Sequence, residues 1–265
     1  MSADDKDNFY QLRPVNDSAG RNVVPLGPRA LQDDDDEESR EHIRRMAEIG
    51  HLSYAEMSEL RIIHPGMRNS KTLNAFRELR TKVYQAAAGR ENFVLLVTSI
   101  TPGGGSTFVT TNLGAAIALD ESKTAIIVDC NVYDPSLHRM LPIEPDYGLV
   151  DYLEDITLDV KDIIYSTGVR RLRMIPAGSR RQPGTEFFTS SRMRRFVDEL
   201  RTRYRDRHIV IDAPPVDSSA DARILVDLCD YALIVVPFGS ATESQVHAAI
   251  ESLGENKVIG VVFNN

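Results

Sequence analysis

The chain has 265 residues, 42% of them hydrophobic, and a formal net charge of −8, enough for one large α/β domain plus extra segments and for a real buried core. The absence of a basic stripe argues against a nucleic-acid surface, and two cysteines, Cys130 and Cys229, fit a reducing cytoplasm better than a disulfide framework. No apolar run approaches the ~18 residues of a membrane span, and Met1-Ser2-Ala3-Asp4-Asp5 does not read as a signal peptide, so direct membrane insertion is not expected.

The first 50 residues carry twelve acidic and seven basic side chains. Residues 1–38 are polar, with the run Asp33-Asp34-Asp35-Asp36-Glu37-Glu38. They cannot bury enough surface to offset ordering entropy and read as a disordered acidic tail. A helix is expected over 37–49 and another over 54–61, before Pro65-Gly66 breaks the chain. Residues 39–66 therefore read as a short helical linker and 67–265 as the main domain. A helix over 69–88 shows Leu73, Phe76, Leu79, Val83 and Tyr84 on one face, with Arg77 and Arg80 on another.

Phe93-Val94-Leu95-Leu96-Val97 is a short apolar run that predicts a buried strand. Thr101-Pro102-Gly103-Gly104-Gly105-Ser106-Thr107 follows. Val109, Leu113, Ala116 and Ile117 then fall at helical spacing, so a helix begins near Thr107. Strand, glycine-rich turn and helix are the layout of a phosphate-binding loop, in which backbone N–H groups and the helix N-terminus face an anion. That pattern ends in Gly-Lys-Ser/Thr. Here it ends Gly105-Ser106-Thr107: the hydroxyl that would hold Mg²⁺ is present and the lysine is absent.

Further strands are predicted at 124–129, 171–175, 209–212, 233–236 and 258–263, with helices near 107–119, 191–204, 217–228 and 241–254. Apolar strands alternating with helices predict an α/β fold of the P-loop NTPase type, a mostly parallel sheet covered by helices on both faces. Ligands in such sheets bind beyond the carboxyl ends of the strands. Asp129 and Asp212 each close a strand there, Asp212 followed by Ala213-Pro214-Pro215. Mg²⁺ takes hard oxygen ligands and keeps several waters, so Thr107, Asp129 and Asp212 are the candidate metal set, and Asp129 and Asp212 the candidate catalytic acids. Gly103, Gly104, Gly105, Ser106 and Thr107 are the candidate cradle. The six histidines, His42, His51, His64, His138, His208 and His247, have no metal spacing and are expected at surface or capping positions. Arg192, Arg194 and Arg195 read as a solvated helix face.

From about Leu73 to Asn265 the chain resembles the cytoplasmic kinase domain of bacterial tyrosine kinases (BY-kinases), relatives of the MinD/ParA group of P-loop ATPases. Asn74-Ala75-Phe76-Arg77-Glu78-Leu79-Arg80 is similar to that family's Glu-x-x-Arg-x-x-Arg oligomerisation helix, Thr98 to Leu113 to its phosphate loop, and Val128-Asp129-Cys130-Asn131 to its Asp-x-Asp motif. Ile211-Asp212-Ala213-Pro214-Pro215 resembles its Walker B strand, and Gly260-Val261-Val262-Phe263-Asn264 its last strand, where the resemblance implies that Asn264 reads adenine. It also implies ATP or ADP with Mg²⁺ as cofactors. It further implies a role in capsule and exopolysaccharide assembly beside an inner-membrane chain-length or export protein, and homo- or hetero-oligomers through the 69–88 helix. The expected location is the cytoplasm, at the inner membrane only through that partner.

The departures weaken chemistry more than fold. Ser106 stands at the lysine position, and Thr101-Pro102-Gly103-Gly104 offers no substitute lysine earlier in the loop. Asn131 replaces the second acid, Tyr133-Asp134 the basic residues after it, and Asn74 the oligomerisation glutamate; no tyrosine follows Tyr231. A lost cation at a transferring phosphate costs on the order of 3–4 kcal/mol in the transition state. The expectation is a degenerate kinase acting as a regulator or scaffold, with nucleotide and Mg²⁺ binding weakened or absent. An atypical active autokinase or ATPase is the alternative. A MinD/ParA-like positioning protein is a third reading.

Overall fold

The computed structural model describes residues 51–264 except 69, 89, 142, 179–185 and 204–205, together with two strand dipeptides nearer the start. Those dipeptides, β1 (Val15–Asn16) and β2 (Asn22–Val23), pair antiparallel with Val15 opposite Val23. The rest of the predicted acidic tail and the helix expected over 37–49 lie outside the described residues.

The main unit is built on seven strands: β3 (Val94–Ser99), β4 (Thr124–Asp129), β5 (Tyr165–Ser166), β6 (Leu172–Ile175), β7 (Arg207–Asp212), β8 (Tyr231–Pro237) and β9 (Val258–Asn264). Their order across the sheet is β5-β6-β4-β7-β3-β8-β9, and every pair is parallel except the short β5 edge against β6. β3, β4 and β7 are buried along their whole length, which is why they read as continuous apolar runs without alternation.

Side chains still alternate between faces. Leu95 and Val97 of β3 point to a core completed by α1 (Tyr54–Glu59), α2 (Lys71–Ala86) and α3 (Ser106–Ala118), through Met57, Leu73, Phe76, Val109 and Leu113. Val94 and Leu96 point to the opposite core. There they meet Leu149 and Tyr152 of Leu149–Glu154, Phe196 and Leu200 of Ser191–Arg203, Leu225 of Asp221–Leu225, and Leu253 of Glu243–Leu253. Helices thus cover both faces of a mostly parallel sheet. α3 lies deepest, with nearly all its residues buried. Gly114 permits this, since a Cβ there would press into Ile127 and Leu172.

The described part of the stretch read as a linker packs against this core. Ile62 and Ile63 are buried among the helices over β3, and Leu52 N–H donates to Gly168 O at 2.8 Å. Asn112 in α3 holds the segment: its Oδ1 accepts from Ile63 N–H at 2.8 Å and its Nδ2 donates to Arg61 O at 3.1 Å. Arg61 sits in the left-handed region, φ +57°.

Two expectations are corrected here. His208 and His64 are not surface or capping residues: His208 falls inside β7, which begins two residues earlier than its apolar run suggests, and both rings are buried. Arg194 and Arg195 are exposed as expected, but Arg192 is half-buried and engaged. Its Nε donates to Tyr152 O at 2.6 Å and its Nη2 to Asp155 O at 2.7 Å, with the guanidinium over the Tyr152 ring.

Candidate phosphate-binding site

The loop leaves β3 at Ser99, whose Oγ donates to Thr101 O at 2.9 Å, and tightens through Gly104 N–H to Thr101 O at 3.2 Å. Gly103 (φ +74°) and Gly105 (φ +89°) adopt left-handed conformations that L side chains avoid. Gly105 is the residue at the cap of α3, and no side chain caps that helix. The first N–H groups of a thirteen-residue helix, with its partial positive charge, are therefore left for an anion. Asn264, at the end of β9, donates its Nδ2 to Gly104 O at 3.2 Å. Its amide occupies the space that a Cβ on Gly105 would need.

Asp129 and Asp212 are direct register partners on β4 and β7. Both are fully buried. Asp129 Oδ1 accepts from Asn131 N–H at 3.1 Å, and its Oδ2 from Ser136 N–H at 3.2 Å and Leu137 N–H at 3.1 Å. Asp212 Oδ2 accepts from Thr107 Oγ1 at 2.7 Å and its Oδ1 from Thr110 Oγ1 at 3.3 Å, and the Ser106 hydroxyl nearby also favours its charged form. Thr107 Oγ1 lies 2.9 Å from Ser136 Oγ, and Ser136 in turn donates its N–H to Asp129, so the two residues together link the acidic strand ends.

Burial raises both carboxyl pKa values well above the ordinary range, and the facing Asp212 charge lifts Asp129 further. The hydrogen bonds to each acid pull in the opposite direction. None of the ion pairs among the described residues reaches either acid. The site thus holds two buried acids whose hydrogen bonds only partly offset burial, an arrangement that a bound cation would relieve. Thr107 with Asp129 and Asp212 suits Mg²⁺, which accepts few protein ligands and keeps its water. Among the described residues no three acid, thiol or imidazole groups converge, so the third protein oxygen the chain offers there is a hydroxyl.

The structure brings Gly104, Gly105, Ser106, Thr107, Asp129, Asp212 and Asn264 together around one strand-end crevice. Gly103 faces open space beside them. Asn131 contributes its backbone N–H to Asp129. Asp134, at a position where the resemblance has a basic residue, pairs with Arg139 at 2.9 Å. Arg80, assigned by resemblance to subunit contact, donates Nη1 to Ala116 O at 2.8 Å within the chain, while Arg77 is exposed. Thr110 and Ser136 are site residues that the sequence reading missed. Thr110 lies one helical turn after Thr107, a spacing that could have found it. Nothing local marks Ser136, which arrives with the loop after β4.

No protein-family profile matches the chain. It is 26% identical over 212 residues to the tyrosine-protein kinase CpsD of Streptococcus agalactiae, covering 78% of this chain and 89% of that protein. It superposes on the BceF tyrosine kinase domain with a TM-score of 0.66 at 29% identity, covering 80% of this chain and 86% of that one. The cell-division ATPase MinD of Pyrococcus furiosus matches at TM-score 0.53 and 22% identity, over 66% of this chain and 71% of that one, a likeness of fold. Sheet order, glycine loop and paired strand-end acids define a P-loop α/β protein. Within that class, this chain has the P-loop fold of the bacterial tyrosine kinases.

Proposed function

We propose that this chain is a BY-kinase-like component of capsule or exopolysaccharide assembly in which phosphotransfer is impaired and regulation or scaffolding is the retained role. One observation carries the reading. At the position of the loop cation stands Ser106, 8% exposed and near enough to Asp212 to help hold its pKa down. A serine hydroxyl supplies one neutral hydrogen bond where phosphoryl transfer needs positive charge. Mg²⁺ bound at Thr107, Asp129 and Asp212 would supply charge to phosphate oxygens, and the α3 N-terminus would hold a diphosphate through backbone N–H groups. Asn264 against Gly104 would carry the base-reading role from its place beside the loop. No described helix is long and apolar enough to cross a membrane; the proposed route to the inner membrane is a chain-length or export partner.

The intact Thr107–Asp212 contact at 2.7 Å favours a second reading, a slow ATPase or autokinase whose missing cation comes from another subunit. Calorimetric titration with ATP and ADP, with and without Mg²⁺, tests the first reading. ATP should bind no more tightly than ADP, because the γ-phosphate has no cation to meet. Substituting Ser106→Lys should raise ATP affinity about tenfold, one charge-assisted contact. A strong ATP preference in the native chain would contradict it.

A further inference from the structure

A cavity of about 310 Å³ lies where α3 ends, away from the phosphate loop at its start. Ala115 and Ala118 of α3 line one side and Val169, just before β6, another. Leu52, Met57 and Ile63, from the segment that precedes α2, close the rest. All six are buried or half-buried. Arg171, also in the lining, donates Nε to Ala118 O at 3.0 Å. The other charged side chains there, Glu121 and Arg170, are exposed and of opposite sign, so the cavity selects neither an anion nor a cation. Its walls call for apolar groups.

We propose that this cavity is the docking site of the chain's own residues 40–50. The described part of the main unit begins at His51, itself on the lining, and Leu52 is fixed there by its N–H bond to Gly168 O at 2.8 Å. Two residues span at most about 7 Å, so the tether brings Ile49 to the opening. Ile43, Met46 and Ile49 fall at i, i+3 and i+6 of the helix expected over 37–49, one apolar stripe, with Glu41, Arg44 and Glu48 opposite. Gly50 follows, the residue type that ends helices. Size agrees. A cavity of about 150 Å³ holds benzene, so this one has room for about twelve heavy atoms, the number that one methionine and two isoleucine side chains carry together. The charges of both signs on the opposite helix face suit a mouth that bears Glu121 and Arg170. A short tether also gives the segment an effective concentration of about millimolar or more, an advantage over any free ligand of similar apolarity.

NMR of the full chain, with alanine, isoleucine and methionine methyls labelled, tests this. The Met46 and Ile49 methyls should show nuclear Overhauser contacts to the Ala115 and Ala118 methyls. In a mixture of differently labelled copies, no such contact should pass between chains. Met46→Asp together with Ile49→Asp should move the Ala115 and Ala118 methyl signals and speed exchange of the Leu52 amide about tenfold. Arg44→Ala, on the opposite helix face, should leave both readouts unchanged. Absence of the contacts in the native chain overturns the proposal. Cavity methyls that ignore the double substitution, or that respond equally to Arg44→Ala, overturn it as well. Contacts found only between chains would make a second copy the occupant and also overturn it.

Discussion

Asp129 and Asp212 face each other on adjacent strands, fully buried, with hydroxyls and backbone N–H groups as their only described donors. This sets what a ligand must bring, which is positive charge. Position 106, a serine, adds no positive charge to the loop. His208 shows the same physics with the opposite sign. Unfolded, an imidazole takes its proton near pH 6.5; folded, this one resists until about 4. Between those values the unfolded imidazole holds the extra proton, so the His208 contribution to stability is full above about pH 6.5, falls as the pH drops toward 4, and is flat below that. The shift corresponds to about 3 kcal/mol. Urea denaturation of the native chain and of His208→Phe between pH 7 and 4 checks this. Asp129 and Asp212 titrate over the same range in both proteins, so the stability difference between native chain and variant isolates His208: it should shift by about 3 kcal/mol against the native chain as the pH falls from 7 to 4, and a constant difference would contradict the assignment.

At the scale of elements, α3 organises the domain from both ends of its buried surface. Its first turn faces the phosphate crevice, and Asn112 in its middle pins the segment before α2 by accepting from Ile63 N–H and donating to Arg61 O. Asn112→Ala would leave both groups unpaired and release the φ +57° turn at Arg61. It should cost about 2–4 kcal/mol by chemical denaturation, with faster hydrogen exchange at the amides of Ile62 and Ile63. Unchanged exchange there would show that apolar packing alone holds the segment. The strands and the loop were legible because parallel strands buried on both faces are uninterrupted apolar runs, and because glycines at positive φ have few substitutes. Asn112 lies within the stretch Thr98 to Leu113 that resembles a phosphate loop, though its structural partners were not legible. Those partners, like Ser136 against Thr107 and His208 between Tyr84 and Phe93, come from distant parts of the chain that no local pattern connects. Ile62 and Ile63 belong to a two-residue apolar patch too short to show periodicity, so the Pro65-Gly66 break concealed how tightly the preceding segment is buried.

At the scale of the molecule, the P-loop fold is retained while a serine stands where the loop pattern has its lysine. The sheet needs only apolar strands, and the cradle needs only glycines and a helix end. Neither depends on a lysine. Fold and chemistry can therefore part, and the BY-kinase-type fold supports a scaffold as readily as an enzyme. Paired Asp129 and Asp212 also mean that the crevice should remain metal-responsive even without turnover. Magnesium should raise the thermal midpoint of the chain by a few degrees at saturation, and Thr107→Val together with Asp129→Asn should remove that response. The most direct test of the account is phosphotransfer itself. The full chain is incubated with Mg²⁺ and ATP beside its Asp212→Asn variant, and phosphotyrosine is quantified by mass spectrometry. The account predicts no phosphotyrosine in the native chain above the Asp212→Asn background; robust autophosphorylation that the Asp212→Asn substitution abolishes would contradict it.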